Sequence, residues 1–211
     1  MDVSVLLPLR DAEEMVGPLV QTAELVHEQL RTRHAELAVE ILALDERSGD
    51  NTASVLSVLH GQLPQLRTLQ DLDRGTALRF AARLARGDVW LVLDHPVEPE
   101  LAAWAVGQVI AGQRAAIVPG EILALHRTVG VDVLREVEGG LAVAQHEVAR
   151  YLRRLGHRPA FSPAEGATRL DRALVFLRGH SGRVGLGFLD RPLSIKDTVK
   201  QRASILRTRL L

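Results

Sequence analysis

The chain has 211 residues, enough for one well-packed domain, with 46% hydrophobic and 25% charged residues, the balance of a globular protein. Twenty-six basic residues against twenty-six acidic ones leave a formal net charge of zero, so no overall basic field directs the chain to nucleic acid. There is no cysteine, which excludes a disulfide framework, a thiolate nucleophile and a cysteine-ligated zinc site, and fits a reducing, cytoplasmic setting.

The N-terminus, Met1-Asp2 followed by a short apolar stretch, predicts no signal peptide, and no apolar run approaches the roughly 18 residues that span a bilayer. Val3 to Leu7, closed by Pro8, reads as the first strand. Met15, Leu19, Val20, Ala23, Val26 and Leu30 then recur at helical spacing. Val39 to Leu44 is a second strand ending at Asp45. The turn Arg47-Ser48-Gly49-Asp50 leads into a helix carrying Val55, Leu56, Val58 and Leu59, with Asp50 or Asn51 as N-cap. Leu66 to Leu69 is a short strand, and Asp73-Arg74-Gly75 opens a helix over Thr76 to Ala85. Arg86-Gly87-Asp88 reads as the end of that helix, with Gly87 as C-cap rather than as part of an adhesion motif. Val89 to Leu93 is the most continuously apolar run and so a central strand. A helix over Glu98 to Gly112 follows, then strands at Ala115 to Val118 and Ile122 to His126. An amphipathic helix spans Leu141 to Leu155, and a last strand lies within Arg158 to Phe161. Alternating strands and helices predict an α/β fold with a mostly parallel sheet flanked by helices, as a single domain over 1–211. Trp90 and Trp104 fall within a strand and a helix and are expected in the core.

Ligands of open parallel sheets sit beyond the carboxyl ends of the strands. Arg10-Asp11, Asp45-Glu46 and Asp94 all fall at that rim, and Asp45 and Asp94 are expected to converge within about 15 Å, given strands spaced near 4.8 Å. The surrounding strings are specific. Val3-Ser4-Val5-Leu6-Leu7-Pro8-Leu9-Arg10-Asp11-Ala12-Glu13-Glu14 resembles the opening of the family-2 glycosyltransferases, which have a GT-A, Rossmann-like fold. Asp45-Glu46-Arg47-Ser48-Gly49-Asp50-Asn51-Thr52 is similar to that family's Asp-Asp-Gly-Ser-x-Asp-x-Thr. Asp73 to Leu78 with Ala85-Arg86-Gly87-Asp88 resembles its Gly-rich helix start and Ala-Arg-Gly-Asp helix end, and Val89 to Asp94 its strand leading into Asp-x-Asp. The later half follows less closely: Leu123 to Arg127, a helix, then Glu147 to Gly156 and His157 to Pro163 resemble the acceptor side. Phe188 to Arg191 resembles a segment of dolichyl-phosphate-mannose-synthase-like members.

The resemblance implies a nucleotide-binding half over 1–100 and an acceptor-like half over 101–192. It implies a nucleoside-diphosphate sugar as ligand, held by Pro8, Arg10, Asp11, Asp45, Arg74 and Asp94. It implies Mg²⁺ or Mn²⁺ as cofactor at Asp94, with Glu98 as a second ligand. The sequence departs from the family where chemistry is most demanding. Asp-x-Asp reads Asp94-His95-Pro96, and proline offers no ligand atom. The acceptor-side Glu-Asp pair reads Ala144-Gln145, leaving Glu147, about 200° around the helix from Gln145, as the remaining candidate base. The stacking aromatic is Arg10 and the first turn glycine is Arg47. Arg10, Arg47, Arg74 and Arg79 could hold a diphosphate without metal, or pair with Asp11, Glu46 and Asp73. Two functions therefore stand side by side: a transferase with a rebuilt, metal-free site, and an inactive homologue serving as a protein-binding, self-associating or regulatory module.

The histidines are scattered and form no metal constellation. Ser48, Ser54 and Ser57 lack a Gly-x-Ser-x-Gly elbow, and Gly182 to Gly187 reads as a turn. Residues 193–211 carry five basic side chains against Asp197, at helical spacing of apolar positions. They predict a C-terminal helix that packs on its own domain or touches an anionic membrane peripherally.

Overall fold

A computed structural model describes residues 2–162. The readings of Gly182 to Gly187, Phe188 to Arg191 and the helix over 193–211 lie outside the described residues. Strand β1 (Val3–Leu9) leads to helix α1 (Glu13–Arg33), β2 (Val39–Asp45) to α2 (Thr52–Gln62), and β3 (Leu66–Leu69) to α3 (Ala77–Leu84). Then come β4 (Val89–Val92), α4 (Pro99–Ile110), the hairpin of β5 (Ala115–Val118) and β6 (Ile122–His126), α5 (Arg127–Leu134), α6 (Leu141–Arg154) and β7 (Ala160–Phe161). The strands form one sheet in the order β3-β2-β1-β4-β6-β5-β7, with β6 antiparallel to both of its neighbours. β4 sits at the middle, as its unbroken apolar run requires.

The period-two alternation of the strands divides the core into two layers. Val3, Val5, Leu7, Ile41, Ala43 and Leu91 face α1, α2 and α4. Leu6, Leu42, Leu44, Trp90 and Val92 face α3, α5 and α6. Trp90 is fully buried, its indole N–H donating to the Gly87 carbonyl (2.9 Å). Gly130 of α5 passes directly over that ring. Two helix positions expected inside are exposed instead: Met15 (40%) and Val58 (62%). Val16 takes the place of Met15, while Leu19, Val20, Ala23, Val26, Leu30 and Leu56 are buried as the spacing predicts. No helix among the described residues is long and apolar enough to cross a membrane.

The Arg86-Gly87-Asp88 turn has a different purpose from the one expected. α3 ends in an extended cap at Ala85, and Gly87 is not left-handed. Glycine is needed there because a Cβ would stand 2.6 Å from the Ser4 backbone nitrogen. That close approach builds a polar hub beneath the sheet. The Ser4 hydroxyl accepts from the Gly87 N–H (2.8 Å) and donates to Glu40 Oε1 (2.6 Å). The Arg86 N–H donates to the same oxygen (2.6 Å), and Arg67 donates to Glu40 Oε2 (2.7 Å). Burial works against the Glu40 charge, but these donors outweigh it and hold its carboxyl below the ordinary glutamate value.

Two predictions follow from this packing. A Cβ at Gly130 would stand 2.2 Å from the Trp90 ring, so Gly130→Ala should cost about 1–3 kcal/mol by overpacking, read as a lower denaturant midpoint. A carboxyl held below its unfolded value stabilises fully above that value and loses its contribution as pH falls through the folded one. Glu40→Gln should therefore be less stable than the parent at neutral pH, with the gap closing below about pH 4 in thermal melts.

Candidate functional site

The site is set by how β1 and β4 part. Odd residues of β1 bond to β2 and even ones to β4: Leu9 accepts from Glu46, Leu6 from Leu93. Pro8, an even residue without an N–H, stands just past the last β1–β4 pair, Leu6 with Val92, so its missing donor leaves no strand bond unmade. The chain leaves β1 toward β2 and β4 toward the opposite flank, which opens a crevice at the carboxyl rim between them. Asp45, opposite Leu9, and Asp94, two residues past Val92, flank this crevice two strands apart, roughly 10 Å at the Cα level.

The loops after β1 and β2 are sewn together by side chains. Asp11 (φ 46°) and Arg47 (φ 55°) both adopt left-handed backbone, a conformation costly for arginine and one that a glycine would take freely. The Asp11 N–H donates to Ser48 Oγ (2.9 Å), the Ser48 hydroxyl donates to Asp45 Oδ1, and Asp11 Oδ1 accepts from the Gly49 N–H (2.7 Å). Asp45 is 3% exposed, with one carboxylate oxygen committed to this lock.

The helix N-termini that would greet a phosphate are occupied by the protein's own groups. At α1, the Ala12 N–H donates to Thr52 Oγ1 (2.9 Å) and the Glu13 N–H to Asp50 Oδ2 (3.0 Å). At α2, Asp50 also accepts from the Thr52 N–H (3.0 Å), while the Asn51 side chain donates to Glu13. Of the two expected N-caps, Asn51 makes no side-chain cap bond and Asp50 supplies one, from one position earlier. Slight desolvation raises the Asp50 carboxyl, but the Thr52 hydroxyl and these N–H groups outweigh it and hold it below the usual range. At α3, Glu46 accepts from the N–H groups of Gly75 and Ala77, each at 2.9 Å. Glu46 therefore braces a helix.

The arginines are partly paired. Arg10 lies 3.5 Å from Asp11, Arg47 3.0 Å from Asp73, and Arg79 2.6 Å from Glu138. Arg74 is exposed on the same loop as Asp73 and is itself engaged. Across the crevice, Asp94 Oδ1 is 2.6 Å from His95 Nδ1. That bond, opposed by desolvation and aided by the charges of Asp94 and Glu121, holds the imidazole above its ordinary value. The donor set does not fit a divalent cation. Asp94 is engaged by His95, Pro96 has no ligand atom, Glu98 is exposed at the N-cap of α4, and among the described residues no group of three or more His, Cys, Asp or Glu could hold a metal.

On the acceptor side, Gln145 is buried (2% exposed) and fully committed. Its Nε2 donates to the carbonyls of Val118 and Ile122, both at 2.9 Å, and its Oε1 accepts from the Gly120 N–H (3.0 Å). It thus clamps the β5–β6 hairpin, whose turn carries Glu121 toward His95. Glu147 is held by Arg150 on its own helix. Ser48 and Asp50 were detectable in the sequence as turn-forming residues that follow a strand. Glu121 and Gln145 gave no such signal, because their roles depend on β6 folding back between β4 and β5.

Gln145→Glu tests the clamp. A carboxylate there would face two carbonyls without donors, costing at least about 2 kcal/mol at neutral pH. Such a glutamate keeps its proton more readily folded than unfolded, so its stability should fall as pH rises from 4 to 8, which thermal melts would detect.

No family model matches the chain, and no curated protein matches it by sequence. Among solved structures it is similar to a mannosyltransferase from Pyrobaculum calidifontis in complex with GDP-Man and Mn²⁺ (TM-score 0.59, 18% identity, covering 86% of this chain and 64% of that one). It is also similar to residues 1–349 of S. aureus TarS, both in complex with UDP (TM-score 0.55, 13% identity, 83% and 63%) and in a second structure (0.51, 12%, 90% and 76%). The chain thus spans slightly under two thirds of the first two proteins. At these identities the likeness speaks for the fold, and the fold is GT-A-like: among the described residues, a mostly parallel seven-stranded sheet with one antiparallel strand, flanked by six helices.

Proposed function

We propose that the carboxyl rim is a nucleoside-diphosphate-sugar site that binds its ligand without transferring the sugar, so that the chain serves as an inactive, glycosyltransferase-like binding or regulatory module. The supporting observation is Gln145. Transfer needs a carboxylate to take the acceptor hydroxyl proton, and the group matching that position is an amide tied to three backbone groups of a hairpin. Pro8, Arg10 and Asp11 would border the base, Asp45 would accept from it through the oxygen outside the Ser48 lock, and Asp94 would meet the ribose. Arg74 and the exposed Arg10 would face the diphosphate, since three helix N-termini are already filled. A protein partner or a second copy would then read the liganded state.

A second reading is a working transferase without metal, favoured by the exposure of Arg10 and Arg47 beside the crevice. Calorimetric titration with UDP, GDP and their sugar conjugates, with and without Mn²⁺, separates the two when run beside a turnover assay. The expected result is binding that does not depend on Mn²⁺, weakened at least tenfold by Asp94→Ala or Asp45→Asn, with no sugar released or transferred. Sugar release abolished by Asp94→Ala would establish the transferase instead. Absence of binding would leave a scaffold whose rim is structural.

A further inference from the structure

The charged side chains of the described residues are unevenly placed. The edge of the sheet opposite the carboxyl rim carries an arginine row. β4 begins at Val89, β6 ends beside it at His126, β5 begins at Ala115, and β7 begins beside that at Ala160. Immediately outside these four adjacent strand ends stand Arg86, Arg127, Arg114 and Arg158, all exposed. Three strand spacings place them along roughly 15 Å. The end of α6 adds Arg154 and, beside it, Leu155, which is 52% exposed. Asp88 is the one acidic side chain within these turns, and among the described residues none of the five arginines makes an ion pair.

Helix stability does not account for the row. Arg154 closes α6, where a cation complements the helix dipole. Arg127 is the first residue of α5, the end where a cation opposes the dipole, and Arg114 and Arg158 lie outside any helix. An unpaired set of like charges on one edge is costly to keep and is relieved by an anionic partner.

We propose that this arginine row, with Leu155 at its border, is a docking surface for an anionic lipid bilayer. Guanidinium groups bind lipid phosphates bidentately, and a protruding leucine between basic residues enters the headgroup–acyl boundary. A nucleic acid would give that leucine nothing to do and would call for exposed aromatics, which none of these turns carries. Docked this way, the carboxyl rim faces away from the membrane, about 23 Å off by the length of the seven-residue β1, open to soluble ligands. The inference stands whether or not the rim binds a nucleotide sugar.

Flotation of the full chain with phosphatidylcholine vesicles, with and without phosphatidylserine, is the test. Binding should require phosphatidylserine and weaken as salt rises. Each arginine contributes about fivefold to partitioning, so combined Arg114→Glu, Arg127→Glu and Arg158→Glu should lower it by at least about a hundredfold. Leu155→Asp should lower it severalfold at every salt concentration. The Arg→Gln triple, checked for an unchanged melting temperature, guards against misfolding and should lose binding in the same direction. Equal binding to neutral vesicles, or none to either, would overturn the proposal. So would binding that survives the triple and disappears with Lys196→Gln and Lys200→Gln, or a single-stranded oligonucleotide that displaces the vesicles through the same arginines.

Discussion

The parting of β1 and β4 after Leu6 is the constraint from which the rest of the rim follows. Strands that stay paired leave no crevice, and strands that part leave backbone donors unmet unless something replaces them. Pro8 removes one donor outright. The loop beyond it then has to close on the loop after β2, and it does so through Asp11, Ser48 and Asp45. That closure holds Asp11 and Arg47 in left-handed backbone, which persists only because several hydrogen bonds hold both loops. The position of Asp94 follows from the same event, since it begins where β4 no longer has a partner on that side.

The rim is unusual in how completely it satisfies itself. In folds of this kind the free N–H groups of helix N-termini attract anionic ligands. Here α1, α2 and α3 receive Thr52, Asp50 and Glu46, so the favourable field of each helix is already matched by a side-chain oxygen. This gathers acidic groups at the carboxyl rim. The opposite edge of the sheet carries the exposed Arg86, Arg114, Arg127 and Arg158. The first is accounted for by local helix chemistry, and the second is not.

What could be read from the sequence was what depends on neighbouring residues. The hairpin strands at Ala115–Val118 and Ile122–His126 and the short β3 came out at their true bounds, because short stretches with apolar ends bracketed by Gly, Pro and Asp leave little latitude. The fold followed from four strings in a fixed order. Side-chain facing was less legible: Met15 and Val58 sit on the right helices but turn outward, since period alone does not fix which side of an apolar stripe meets the sheet. Gly87 was assigned to the right turn for the wrong reason, its requirement arising from Ser4, 83 residues away in sequence. Gln145 was recognised as unable to accept a proton, but its bonds to the hairpin depend on contacts at 23 to 27 residues' separation that no local pattern announces.

That last residue bears on how such a site changes over time. A buried amide with two donors to carbonyls and one acceptor for an N–H matches the hairpin's needs in a way no carboxylate can, since an ionised carboxylate only accepts. The turn carrying Glu121 depends on that glutamine, and an acidic residue in its place would unseat the turn. Pro96, two residues beyond Asp94, is not locked in this way, because it is exposed and makes no side-chain hydrogen bond. The two positions therefore differ in kind. Pro96 could be exchanged for a carboxylate at an exposed place, whereas Gln145 is built into the packing of α6 against the sheet, and the hairpin keeps its turn only while that amide stays.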